Sequence, residues 1–370
     1  MQRKQAPTSP ADFCLFGSSP EHRLSHFERL TMLGGQELRR AIERLAPRFA
    51  QLPSQTSFGL DPTHLLHIAD RYSDPLLQST FFPTPSSPAH VERHTVHGLP
   101  DGLVEDLTFR GDYPSLANRT LPDPLLHESN RTVHARWWRH HYDYRATVVA
   151  LHGWTMGDQR ISALTLLPGV LYRNGFDVVV VELPLHGRRS TQQESAYALP
   201  PAFDLSLTND AIAQAVTDIR QLRLWLLSLG CHRIGCLGLS LGGYVNALLA
   251  SLDRWDFAVP LVPAVNLAEI VLTSTRHNLK NRRMAGQVRA ILERAFAIHS
   301  PLNRQLALDK RHVMLVAGLG DRVVPAKQPR ALWEHWGRPE VRWHRGGHAV
   351  PFSKTRVFEE VMEFIGALWS

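Results

Sequence analysis

Apolar positions fall in two rhythms along the chain. From about residue 147 onward, short continuous runs of Val, Leu and Ile recur at 147–151, 176–181, 234–239, 257–262 and 313–317, with a shorter one at 340–343. Helical stretches separate them. Strands without polar alternation are buried on both faces, and strands that alternate with helices predict a mostly parallel sheet covered on both sides. Pro260 makes the fourth run the weakest strand, because proline has no N–H to give a ladder. Ahead of these runs, 89–96 and 102–109 read as two antiparallel strands around the turn Leu99-Pro100-Asp101-Gly102, and 132–140 is another alternating strand.

The helices follow the 3.6-residue period. Ile212, Ala215, Val216, Ile219, Leu222, Leu226 and Leu229 share one face, and Gly230 is a natural stop. Val357, Phe358, Val361, Phe364, Ile365 and Leu368 form the face of a last helix. Residues 21–52 carry a near-helical spacing of Leu30, Leu33, Leu38, Ile42, Leu45 and Phe49, behind a polar tail at 1–20. The expected organisation is a tail over 1–20, a helical extension over 21–89 and one α/β domain over 90–370. Residues 267–308 exceed what a crossover needs and concentrate Arg276, Lys280, Arg282, Arg283, Arg289 and Arg294, which suits a small basic cap over the strand ends, or a solvated basic helix.

The run at 234–239 stops at Gly238-Leu239-Ser240-Leu241-Gly242-Gly243, and a good helix sequence follows. A strand that turns sharply into a helix with a serine at the apex is a nucleophile elbow. Side chains at 238 and 242 would collide across such a turn, and the helix N-terminus points partial positive charge at the serine. Alone, the pentapeptide also fits a plain strand–helix turn.

A serine needs a base, and the base an orienting acid. In an open α/β sheet these sit on loops after the carboxyl ends of strands. Asp321 lies there, in Gly318-Leu319-Gly320-Asp321-Arg322-Val323-Val324-Pro325. The competing reading is an Asx-turn aspartate that only caps the next helix. His348 follows Gly346-Gly347 after the last strand; His344, at the strand end without glycines before it, is the rival. The order Ser240, Asp321, His348 is that of an α/β-hydrolase triad. An oxyanion hole needs two N–H donors. Leu241 follows the nucleophile, and Trp154 follows the tight turn His152-Gly153 after the first parallel strand. After the second parallel strand, His186 reads as a structural brace. Arg188 and Arg189 are candidates for meeting an anionic substrate group and equally fit solvated surface charges.

Composition narrows the field without adding chemistry. The 370 residues are 44% hydrophobic and 20% charged, with a formal charge of +7. The basic residues are scattered, so no nucleic-acid partner is inferred. Twenty histidines include no HExxH spacing, His140-His141 point to opposite faces of a strand, and no metal or cofactor is expected. The three cysteines Cys14, Cys231 and Cys236 are no disulfide framework. No signal-type apolar region opens the chain, and no apolar run approaches the roughly 20 residues of a membrane span, so a cytoplasmic location is expected. In that setting Asn118-Arg119-Thr120 and Asn130-Arg131-Thr132 match the glycosylation pattern by coincidence.

Taken jointly, His152-Gly153, Gly238-Leu239-Ser240-Leu241-Gly242-Gly243, Gly320-Asp321 with Val324-Pro325, and Gly346-Gly347-His348 resemble the α/β-hydrolase superfamily over about three quarters of the chain. The elbow, Pro260-Leu261-Val262-Pro263, Gly346-Gly347-His348 and the long N-terminal extension are similar to the group of abhydrolase domain-containing protein 18. The resemblance implies an α/β-hydrolase fold with a core of about eight strands and a cofactor-free serine hydrolase. The leading expectation is cleavage of a small-molecule or lipid-like carboxylic ester or thioester, anionic if the basic residues contact it. An acyltransferase and a non-catalytic binding protein on the same fold are the alternatives.

Overall fold

The computed structural model describes residues 28–29, 62–113, 128–142, 144, 146–154, 156–190, 205–275, 282–348 and 355–369. The expected tail over 1–20 and, apart from residues 28 and 29, the helical stretch 21–52 lie outside the described residues. The described residues build a nine-stranded sheet, against the core of about eight that the resemblance implies. Its strands are β1 (Glu92–Leu99), β2 (Gly102–Arg110), β3 (Thr132–His140), β4 (Thr147–Leu151), β5 (Asp177–Val181), β6 (Ile234–Leu239), β7 (Ala258–Leu261), β8 (Met314–Gly318) and β9 (Glu340–His344), in the spatial order β1-β2-β3-β5-β4-β6-β7-β8-β9. The first three strands join antiparallel, β3 joins β5 antiparallel, and β4 through β9 are parallel to one another.

Two-residue periodicity divides the core between the faces of the sheet. Trp137, Val149 and Leu151 enter one apolar cluster, while their neighbours Trp138, Val148 and Ala150 enter the other. The first face is covered by α1 (Pro62–Tyr72), α6 (Leu205–Ser228), α7 (Leu241–Leu252), α8 (Leu267–Thr275) and α9 (Arg282–Phe296). The second carries α4 (Gln159–Leu166), α5 (Pro168–Arg173) and α11 (Thr355–Ala367). The short helices α2 (Pro75–Thr80) and α3 (Glu128–Arg131) lie on connections, and α10 (Lys327–His335) follows β8.

Pro260 leaves its mark on the sheet. β7 is four residues long, and its register with β8 consists of Leu261 opposite Val316. An isolated bridge, Ala258 to Val313, and the Val262 N–H bonded to the Val316 carbonyl at 2.7 Å complete the seam.

The N-terminal extension is tied to the domain by polar contacts. Tyr72 on α1 donates to Asp210 Oδ1 on α6 at 2.9 Å, and Arg136 on β3 donates to Glu28 at 2.5 Å, with all four side chains buried. α1 packs against α9, where Arg294 pairs with Asp70 and donates to Ser73 Oγ at 3.0 Å. Of the basic residues expected to cap the strand ends, Arg276 and Lys280 fall outside the described residues. Arg294 is matched by Asp70, and Arg289 lies 3.7 Å from Glu293.

Candidate active site

The sharpest constraint is at the junction of β6 and α7. Ser240 has φ 53° and ψ −107°, a backbone that a non-glycine residue enters only under strain. The surrounding chain holds it there. Its N–H donates to the Leu261 carbonyl at 2.9 Å, and its own carbonyl accepts the N–H groups of Tyr244 and Ala264. Val262 beside it is also left-handed, with φ 39°, unusual for a β-branched residue. The flanking glycines are required by space: a Cβ on Gly238 would sit 2.1 Å from the Gly242 carbonyl oxygen, and one on Gly242 would sit 2.3 Å from that of Leu151.

Two neighbouring strand-end loops meet the serine. Gly320 N–H donates to the Gly346 carbonyl at 3.1 Å and Leu319 N–H to that of His344 at 2.8 Å, which straps the loop after β8 to the loop after β9. Across this strap His348 Nδ1 lies 2.7 Å from Asp321 Oδ2, and His348 Nε2 lies 2.9 Å from Ser240 Oγ. Asp321 divides its carboxylate: Oδ1 accepts the N–H groups of Val323 and Val324, each at 2.8 Å. The Asx turn and the histidine partner, competing readings of the sequence, therefore coexist on one residue. The Asp321 and His348 side chains are only 1% and 9% exposed, so their contact is little screened by water. His344 is turned into the base of its loop, where Nδ1 accepts the Gly346 N–H at 3.3 Å.

The loop after β4 closes on the same point. A Cβ on Gly153 would be 3.4 Å from Ser240 Cβ, so the Gly153–Trp154 peptide passes beside Ser240. Leu241 is the first residue of α7, and the leading N–H groups of a helix have no intrahelical acceptor. His152 is fully buried, and burial, reinforced by its neighbour His186, pushes its pKa down to about 3. It is therefore a neutral imidazole, with Nε2 3.0 Å from the Leu183 N–H and Nδ1 2.8 Å from the Gly153 carbonyl. The sequence reads His152-Gly153 only as a tight turn. The bracing role depends on β5 ending next to β4, which no local pattern reports.

Beside the serine, Leu241 and Val245 of α7, Ala211 and Ile212 of α6, Leu183 and Leu267 line a narrow, almost wholly apolar pocket. His186 lines it too, held through Nδ1 by the Pro184 carbonyl at 2.9 Å and kept neutral by burial, which lowers its pKa to about 4. Behind the elbow, the Tyr244 hydroxyl lies 2.6 Å from His299 Nδ1, and His299 Nε2 lies 2.9 Å from Asn209 Oδ1. This buried chain anchors α7 to α6 and is invisible as a sequence motif, since its members lie 55 and 90 residues apart.

Of the arginine pair after β5, the candidate Arg189 requires a correction. Arg189 is fully buried, paired with Asp218 at 2.7 Å, and donates to the carbonyls of Asn130 and Glu182. With its guanidinium inside the protein, it does not meet substrate. Arg188 is 39% exposed and spends both its backbone N–H and its Nε on Glu182. Among the described residues no group of three or more His, Cys, Asp or Glu is placed to hold a metal ion, and no helix is long and apolar enough to cross a membrane.

Comparison with known proteins agrees with this architecture. The profile of the family described as alpha/beta hydrolase domain containing 18 matches residues 91–282, and that of serine hydrolase (FSH1) matches residues 233–359. Uncharacterized proteins from two strains of Mycobacterium tuberculosis are 34% identical over 238 residues, covering 63% of this chain and 56% of their own length. The chain thus spans little more than half of those relatives. Among solved structures, an acetyl xylan esterase from a Paenibacillus species superposes with a TM-score of 0.53 at 17% identity, covering 88% of this chain and 98% of its own. Acetyl xylan esterase 1 from a Thermoanaerobacterium species gives 0.54 at 14% identity, covering 85% and 100%. At such identities the likeness is one of fold.

Proposed function

The chain belongs to the alpha/beta hydrolase domain containing 18 family, and from that premise we propose that it is a serine hydrolase of carboxylic esters or thioesters working through Ser240, His348 and Asp321. The observation that carries the reading is the continuous relay of 2.9 Å from Ser240 Oγ to His348 Nε2 and 2.7 Å from His348 Nδ1 to Asp321 Oδ2. The match of residues 233–359 to a serine hydrolase family, a stretch containing all three, supports it independently.

In this mechanism Ser240 Oγ attacks the acyl carbon as its proton passes to His348 Nε2. Asp321 holds the ring in the tautomer that accepts that proton and offsets the charge that forms on it. The tetrahedral oxyanion accepts hydrogen bonds from the N–H groups of Leu241 and Trp154, with the α7 N-terminus adding positive potential. When the C–O or C–S bond breaks, His348 returns the proton to the leaving alcohol or thiol. Water then attacks the acyl-Ser240, giving a proton to His348, which returns it to Ser240 Oγ as the acyl C–O bond breaks and the carboxylic acid departs. The apolar pocket beside Leu241 accommodates the acyl group.

The test is paired. Wild-type protein should hydrolyse p-nitrophenyl esters and react with a fluorophosphonate probe, and Ser240→Ala should lose both. Labelling of Ser240→Ala at the wild-type rate would sink the assignment, as would a folded wild-type protein inert to the probe.

A further inference from the structure

A second cavity lies at the opposite end of the sheet from Ser240. Strand β6 separates them: Cys231, which precedes it, is in the cavity wall, and Ser240 follows it, so the strand spans about 20 Å between the two sites. The cavity measures about 280 Å³ and is lined by Arg93 of β1, Trp137 and Arg139 of β3, Tyr144, and the loop carrying Leu229 and Cys231.

Its wall carries two guanidiniums, those of Arg93 and Arg139, together with the carboxylate of Asp177. Arg93 Nη2 and Arg139 Nε both donate to the same oxygen, Glu105 Oε2, at 2.7 and 2.5 Å. A single carboxylate therefore faces two guanidiniums. The other nitrogens of both forks have no partner among the described residues. Both guanidinium carbons lie over the Trp137 ring, 5.5 and 5.4 Å from its centroid, which holds the two forks side by side. The side chains are 33% and 23% exposed, so their free N–H groups are reachable from the cavity yet partly withdrawn from bulk water. The Asp177 carboxylate makes no ion pair with either arginine; its Oδ1 takes the backbone N–H of His140 and faces His140 Nδ1, each at 2.8 Å. At the rim Leu229 is left 46% exposed, a large apolar side chain presented to solvent beside the charged floor.

We propose that this cavity is a binding site for an organic oxyanion, a carboxylate or phosphate carried on a small apolar body. The forks of Arg139 and Arg93 take the oxygens, a geometry to which planar guanidinium is suited. Leu229 and Tyr144 meet the apolar part. The site is separate from the proposed catalytic centre and its occupancy does not depend on that reading.

Calorimetric titration of the full chain with benzoate, phenyl phosphate, inorganic phosphate and benzyl alcohol tests it. Benzoate and phenyl phosphate should bind saturably, inorganic phosphate more weakly and the neutral alcohol not at all. Arg139→Gln should weaken binding by about tenfold or more, the scale of a charge-assisted hydrogen bond, while leaving ester turnover and melting temperature near wild type because Arg93 still pairs Glu105. Failure of both aromatic anions to bind wild type overturns the proposal. So does unchanged affinity in Arg139→Gln, which would put the anion elsewhere, the Ser240 pocket included. Equal affinity for inorganic phosphate and phenyl phosphate overturns the role given to the apolar rim.

Discussion

The Leu183 amide donates to His152 Nε2 at 3.0 Å, and that bond decides what the other ring nitrogen does. A neutral imidazole that accepts on Nε2 carries its proton on Nδ1, so His152 donates to the Gly153 carbonyl at 2.8 Å. The Gly153 carbonyl and the Trp154 N–H belong to one planar peptide and point in opposite directions. Fixing the carbonyl therefore aims the proposed oxyanion donor. His152→Leu should lower kcat for a p-nitrophenyl ester by about 10²-fold, the scale of losing one oxyanion donor, with KM little changed. A KM effect without a kcat effect would contradict this positioning role.

The divided carboxylate of Asp321 allows two substitutions to separate structure from chemistry. Asp321→Asn keeps an oxygen for the Val323 and Val324 N–H groups but presents an amide donor to His348. The expected result is a kcat loss on the order of 10³–10⁴, comparable to that of the same change in serine proteases, with the melting temperature held. Asp321→Ala also abandons the two turn N–H groups and should cost a further 1–3 kcal/mol of stability, about 1 kcal/mol or more for each buried donor left unpaired. Chemical denaturation alongside steady-state kinetics reads both quantities.

Much of this arrangement is legible in the sequence because its parts are local. Buried parallel strands announce themselves as unbroken Val and Leu runs, and glycine-punctuated loops at their ends mark where Ser240, Asp321 and His348 must lie. Arg189 was not legible. Its buried partner, Asp218, is 29 residues away on α6, and an arginine in a polar loop carries no mark of the ion pair that removes it from the surface. The strap between the Asp321 and His348 loops is equally silent, since it is made of backbone groups that the pairing of β8 with β9 brings together.

Acid should destabilise the fold through its buried histidines. Burial lowers the pKa of His152 and His299 to about 3 and that of His186 to about 4, all below the ordinary value of 6.5. Each binds a proton in the unfolded chain between pH 6.5 and its folded value but not in the native state. Stability from these groups is therefore complete above pH 6.5 and is lost as pH falls through that window. The slope is about 1.4 kcal/mol per pH unit for each group. Urea melts at pH 7 and pH 5 should show the loss, and His299→Gln should reduce its slope by about one proton. An unchanged slope would mean that His299 is protonated in the native protein.

Arg189 and Arg188 should respond unequally to mutation. The Arg189 guanidinium is fully buried, and Asp218 beside it is buried as well, with its pKa raised to about 6 by that burial against the pull of Arg189. Removing the arginine leaves a buried carboxylate to ionise alone, a change that costs about 3–5 kcal/mol in known buried pairs. Arg189→Leu should therefore lower the melting temperature sharply while any folded fraction keeps its KM. Arg189→Leu with Asp218→Asn together should recover part of the loss, because no charge is then left unpaired. Arg188→Ala removes a side-chain partner from Glu182, which is only 5% exposed, but leaves the Arg188 backbone N–H on that carboxylate, so the expected loss is smaller, about 1–3 kcal/mol. A raised KM for anionic esters in Arg189→Leu at unaltered melting temperature would restore the arginine to the substrate face. Loss of folding with KM intact assigns it to the floor beneath the β5 loop, holding Asn130 and Glu182 in place.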